Sequence, residues 1–107
     1  MATKIVSAKE WNELIRAEKP VLVDYWAPWC GYCRRIGPAY DRIAEAFGDV
    51  LEVVKVNIDE EPDLAKQEHI EVIPTLVIYK DGQAIDSVVA PESKAMIEQF
   101  IRNALNK

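Results

Sequence analysis

A chain of 107 residues with 13 basic and 18 acidic side chains, a net charge of −5 and 50% hydrophobic content has the size and composition of one globular domain. Such a length buries roughly 60–68% of the unfolded surface, enough for a core that needs neither staples nor a structural metal. The two cysteines are therefore free for another use. An acidic balance, with basic residues scattered except at Arg34-Arg35, argues against nucleic acid as a partner. Met1 to Ser7 carries neither the basic start nor the apolar run of a secretory signal, and no stretch of about 18 apolar residues occurs. The expectation is a cytoplasmic protein off the membrane, working as a monomer, with residues 1–107 as one domain.

In chain order, Ser7-Ala8-Lys9-Glu10 reads as a capping box, followed by Trp11, Leu14 and Ile15 at helical spacing until Lys19-Pro20 stops the segment. Val21 to Trp26 is apolar except for Asp24, as in a strand covered on both faces by helices. A helix is predicted from Cys33 toward Phe47. Leu51 to Ile58 is β-branched and reads as a second core strand, and Pro62 to His69 as a short helix with proline in its first turn. Thr75 to Tyr79 and Ala84 to Val89 flank Asp81-Gly82, a dipeptide suited to a tight hairpin. From about Ser93 a last helix presents Met96, Ile97, Phe100, Ile101, Ala104 and Leu105 as one buried stripe. The pattern is α/β, a mixed central sheet between helices.

The sharpest feature is Trp29-Cys30-Gly31-Tyr32-Cys33, after a strand and at the start of a helix. Cysteines three apart on a first helical turn have α-carbons roughly 5–6 Å apart, inside the window for a disulfide. Closing so small a ring contributes only about 2 kcal/mol to stability, so the pair is a poor staple and a good switch. In the cytosol, where ordinary thiols stay reduced, a catalytic or redox role is favoured over a permanent crosslink. Zinc would need four ligands, and only His69, far along the chain, could join this single pair. His69 is more simply a solvent-facing or helix-end residue. Cys33 shares the helical stripe of Ile36, Tyr40, Ile43 and Phe47 and should be buried. Cys30 sits at the positive end of the helix and should be the exposed nucleophile, with Arg34 and Arg35 adding positive potential.

Asp24 is the second informative residue. A carboxylate in an apolar strand is costly unless paired, so burial should raise its pKa toward neutrality. Its functional reading is as proton acceptor for Cys33, directly or through a water; its structural reading is a satisfied strand-end aspartate. Lys55, in the next strand, is either its counter-charge or a side chain snorkelling to water. Ile73-Pro74-Thr75 places proline where a strand must begin, and a cis bond there is not settled by sequence.

Taken together, Trp26-Ala27-Pro28-Trp29, the Cys-Gly-Tyr-Cys motif, Asp24 six residues before it, Pro38, Lys55, Ile73-Pro74-Thr75 and the closing hairpin and helix resemble the thioredoxin family along essentially the whole chain. The resemblance implies the thioredoxin fold, with order βαβαβαββα, and a redox-active disulfide between Cys30 and Cys33. It implies that Cys30 attacks a target disulfide, that Cys33 resolves the mixed disulfide, and that Asp24, coupled to Lys55, activates Cys33. It also implies a cis Pro74 that holds Ile73 beside the cysteines, a substrate groove walled by Trp29, and Ala90 in that groove where the family usually has glycine. Trp26 would pack under the active-site loop, and Pro38 would kink its helix by removing a bond to the Arg34 carbonyl.

This chain departs from the commonest motif by having Tyr32 in place of proline, so Gly31 and Tyr32 are the residues expected to tune the redox poise. A change of 30 mV corresponds to about 1.4 kcal/mol between the two states. Val72, like Ala90, adds bulk where a small residue is common, and Glu92 stands where an apolar one is usual. Without a Gly-rich dinucleotide fingerprint the chain should bind no cofactor and be recharged by a separate thioredoxin reductase. The expected function is reduction of disulfides in target proteins. The alternatives are a glutaredoxin-like or isomerase-like protein with a less reducing potential, or a binding subunit in which the cysteines are dispensable.

Overall fold

A computed structural model describes residues 4–106; Met1 to Thr3, part of the N-terminal segment that lacks the features of a secretory signal, and Lys107 lie outside the described residues. The elements run β1 (Lys4–Ile5), α1 (Ala8–Ile15), β2 (Val21–Trp26), α2 (Gly31–Phe47), β3 (Glu52–Asn57), α3 (Pro62–Gln67), β4 (Thr75–Lys80), β5 (Gln83–Val89) and α4 (Lys94–Leu105). That is the order βαβαβαββα. The sheet order is β1-β3-β2-β4-β5, with β1, β3 and β2 mutually parallel and β4 and β5 antiparallel to their neighbours.

Alternation along the strands divides the core in two. Val21, Val23 and Tyr25 of β2 join Val54, Val56, Val77 and Tyr79 beneath Trp11 and Ile15 of α1 and Leu64 of α3. Leu22, Val53, Leu76 and Ile78 point to the opposite face, where Ile36, Tyr40 and Ile43 of α2 meet Ile97, Phe100, Ile101 and Ala104 of α4. With helices on both faces, β2 can be apolar nearly throughout. Three buried tyrosine hydroxyls find partners: those of Tyr25 and Tyr79 lie 2.6 Å apart, and that of Tyr40 reaches the Leu22 and Val54 carbonyls at 3.0 and 2.8 Å. Tyr40 thereby straps α2 across β2 and β3.

Turn chemistry follows the residues. Asp81 and Gly82 have φ of 55° and 81°, the pair of positive angles that a two-residue hairpin loop requires. His69, at 59°, is exposed just past the end of α3; its N–H donates to Lys66 O, and that of Ile70 to Ala65 O, closing the helix in a Schellman motif. His69 is thus the helix-end residue expected.

Several boundaries differ from the sequence reading: α1, expected to run until Lys19-Pro20, already ends at Ile15. β4 runs one residue further and β5 starts one earlier, because the ladder extends to the Lys80–Gln83 rung beside the turn. β3 omits Leu51 and Ile58. α3 ends at Gln67, since the left-handed His69 cannot continue it. In α4, Met96 is 46% exposed and does not belong to the buried stripe; it lies about 100° of helix rotation from Ile97, enough to turn it outward. Among the described residues, no helix is long and apolar enough to cross a membrane.

Candidate active site

β2 ends at Trp26, and four residues later Cys30 serves as N-cap of α2. The helix starts at Gly31 and not at Cys33, because Cys30 Sγ accepts the Cys33 N–H at 3.1 Å and Cys30 O accepts the Arg34 N–H at 3.2 Å. A sulfur in the place of a capping oxygen thus receives a backbone donor at the positive end of a 17-residue helix, the surroundings that favour a thiolate. Cys30 and Cys33 are joined in a disulfide, with α-carbons 5.2 Å apart.

Cys33 is 3% exposed and lies on the stripe of Ile36, Tyr40 and Ile43, as its spacing implied. Cys30 is 9% exposed. It is the more accessible residue of the pair but not the open one expected from its position, because Ala27 lies against the pair and Trp26, Tyr32, Ile58 and Ile73 close around it. Arg34 directs its guanidinium to the Pro28 carbonyl at 3.2 Å, holding the loop before the helix.

Asp24 shares its face of β2 with Leu22, which packs under α2, and Trp26, which packs on the cysteine cluster. It is wholly buried, and neither carboxylate oxygen has a hydrogen-bond partner. Among the described residues, no protein group therefore satisfies Asp24 as a strand-end aspartate. Burial pushes its pKa from 3.8 to about 7, with the Lys55 charge opposing the rise and the Asp41 charge adding to it. Lys55 stands opposite Asp24 on β3, and its ammonium lies 4.5 Å from the centre of the Trp26 ring. The half-buried lysine is thus both a counter-charge felt by Asp24 and a cation over an aromatic face.

On the outer side, Trp29 is 65% exposed, and its indole N–H donates to Asp59 at 3.1 Å. The Ile73–Pro74 bond is cis, and Ile73 packs on the cysteine cluster. Pro74 O accepts the Ala90 N–H at 2.9 Å, which brings the end of β5 beside the start of β4. Ala90 has φ of 47°. Exposed Gly31 has open space where a side chain would stand, whereas Tyr32 is half-buried, its hydroxyl donating to Pro91 O at 2.9 Å. Val72 is exposed, and its carbonyl accepts from Thr75 Oγ1 at 2.6 Å; Glu92 is also exposed.

Trp29, Cys30, Gly31, Tyr32, Cys33, Ile73, Pro74 and Ala90 thus meet at one end of the sheet, with Asp24 and Lys55 beneath them. Asp41, Asp59 and Pro91 take part without having been singled out from sequence. Asp59 and Pro91 act across 30 and 59 residues of chain, a separation for which local spacing carries no signal. Asp41 does lie one residue from the buried stripe at Tyr40, but its influence on Asp24 depends on how α2 crosses β2. Among the described residues, no group of three or more His, Cys, Asp or Glu side chains is placed to hold a metal ion.

The family model described as Thioredoxin matches residues 2–103. Thioredoxin 1 of Synechococcus elongatus is 46% identical over 107 residues, covering 100% of this chain and 96% of that protein. The chloroplastic M-type thioredoxin of Chlamydomonas reinhardtii is 42% identical over 95 residues, or 89% of this chain and 68% of that one. The crystal structure of Malassezia sympodialis thioredoxin superposes with a TM-score of 0.87 at 30% identity, covering 96% of this chain and 91% of that one. With its cysteine pair closed at the head of α2 and nearly its whole length matched in sequence and fold, the chain belongs to the thioredoxin family.

Proposed function

We propose that this protein-disulfide reductase works through Cys30 as nucleophile, Cys33 as resolving thiol and Asp24 as the group that holds the Cys33 proton. The observation that carries this assignment is the unequal setting of one linked pair: Cys30 caps the helix with a backbone donor on its sulfur, while Cys33 is buried on the face that Asp24 shares. In the reduced protein the Cys30 thiolate attacks a target disulfide. A Cys30–target bond forms, and the other target sulfur leaves as a thiolate that takes a proton from solvent. Cys33 then gives its proton to the Asp24 carboxylate and attacks Cys30 Sγ, closing the Cys30–Cys33 bond and releasing the second target thiolate, which is protonated in turn. Two electrons pass from the dithiol to the target.

A carboxyl titrating near 7 suits this exchange, since it can both accept and return a proton at neutral pH. Lys55 keeps that pKa from rising further. Trp29, Ile73, Pro74 and Ala90 form the wall against which a target chain lies, and Gly31 and Tyr32 tune the redox poise. The whole chain acts as one domain, as a monomer, in the cytoplasm, and a thioredoxin reductase recharges it; the chloroplastic relative makes a plastid the competing compartment.

Tyr32 between the cysteines supports a second reading, a less reducing protein closer to glutaredoxins or isomerases. Insulin reduction by the purified chain, with NADPH-linked and ferredoxin-linked reductases supplied in turn, tests activity and donor together. Turnover with one reductase and its loss in Cys30→Ser are expected. No turnover with either, while millimolar glutathione holds the pair half oxidised, favours the second reading; a cellular role intact in Cys30→Ser favours a binding subunit.

A further inference from the structure

The Tyr32 hydroxyl does more than occupy the space between two cysteines. It donates to the Pro91 carbonyl, while the ring packs between the α2–α4 core and the cluster around the cysteines. Pro91 belongs to the corner Ala90, Pro91 and Glu92, which joins β5 to Ser93, the N-cap of α4. Within that corner Ala90 is left-handed, a conformation that a residue with a Cβ keeps only when its surroundings hold it there. Two hydrogen bonds do so: Ala90 N–H to Pro74 O on one side and Tyr32 O–H to Pro91 O on the other. Pro74 in turn follows Ile73, which packs on the cysteines. The redox motif, the corner after β5 and the loop before β4 thus form a closed ring of contacts.

We propose that the Tyr32 hydroxyl is a positioning group for protein substrates: by fastening the Pro91 carbonyl it holds the Ala90 corner, and so presets the Ala90–Pro74 wall against which a disulfide-bearing chain lies. The proposal rests on the reductase reading and adds to it selection by substrate size. A small disulfide needs only the sulfur of Cys30, whereas a protein chain also needs the wall, and pre-organising that wall lowers the cost of binding. The proline more common at this place in the family has no hydroxyl with which to form the tether.

Tyr32→Phe removes one oxygen and keeps the ring. The variant and the parent are compared by kcat/KM on insulin and on hydroxyethyl disulfide, and by amide hydrogen exchange at Ala90 and at Val77 in the middle of β4. The expected result is a fall of about fivefold in the insulin-to-small-disulfide ratio, in line with the loss of one neutral hydrogen bond, together with faster exchange at Ala90 relative to Val77. An unchanged ratio overturns the proposal, including the case in which both rates fall together and the hydroxyl acts on the cysteines themselves. A lower ratio without faster exchange at Ala90 overturns the tether. A parent chain inactive on both disulfides refutes the reductase reading instead, and exchange at Ala90 then decides the tether alone.

Discussion

Asp24 and Lys55 face each other on one rung of the sheet, yet Asp24 holds its proton to about pH 7. The lysine lowers that value, but desolvation of a carboxyl with no hydrogen-bond partner outweighs it. A buried acid in this condition stores a pH-dependent cost in the fold. Unfolded, it ionises near 3.8; folded, only near 7. The folded chain therefore binds more protons across that interval, and stability is lost as pH rises through it, levelling off above the folded value.

Asp24→Asn removes this titration. Its stability relative to the parent, measured by chemical denaturation of the oxidised proteins, should be greater at pH 8 than at pH 4, with a difference on the order of 4 kcal/mol. The same difference between variant and parent at both pH values would show that the Asp24 pKa is not raised.

Lys55→Met withdraws the charge that lowers the Asp24 pKa, leaving burial and Asp41 to raise it. The carboxyl carbon resonance of Asp24, followed by NMR, should titrate at a higher pH than in the parent. A midpoint that stays in place would mean that the ammonium over Trp26 is screened from the acid.

On the proposed roles, Cys33→Ser keeps the attacking sulfur and removes the resolving one. Incubated with an oxidised target, the reduced variant should accumulate a mixed disulfide, seen on a non-reducing gel as a target heavier by 12.1 kDa and collapsed by dithiothreitol. Cys30→Ser should trap little. Equal trapping by both variants would mean that the two sulfurs are not distinguished by their settings.

Ala90 and His69 pose the same backbone problem in different places, with φ of 47° and 59°. Glycine at either position removes the Cβ penalty but makes the unfolded chain more flexible, so a net gain of about 0.5–1 kcal/mol is expected from each. That corresponds to a rise of roughly 2–6 °C in thermal midpoint, readable by calorimetry. Only Ala90→Gly should also change the KM for insulin, because only Ala90 sits at the cysteine wall. A destabilised His69→Gly would contradict the strain at the end of α3.

Nearly all of the architecture was legible along the chain, because it rests on local rules. Continuous apolar runs made β2 and β3, Asp81-Gly82 made the hairpin, Ser7 and Ser93 opened helices, and Cys33 fell on the stripe of Ile36, Tyr40 and Ile43. Periodicity erred at Met96: it stands four residues before Phe100, as a core residue would, but about 100° of helix rotation from Ile97 turns it into solvent.

The chemistry divides along the same line. That two cysteines could pair, and that a carboxyl in an apolar strand would be shifted, follows from spacing and polarity alone. How far Cys30 is covered, that Asp24 lacks any hydrogen-bond partner, and that Tyr32 reaches Pro91 across 59 residues all depend on which surfaces the fold brings together. Burial and long-range hydrogen bonds belong to pairs of segments, and a single segment holds no record of its partner. The sequence by itself therefore determined which side chains are candidates to carry the chemistry, and tertiary packing decided how accessible, how acidic and how firmly held each one is.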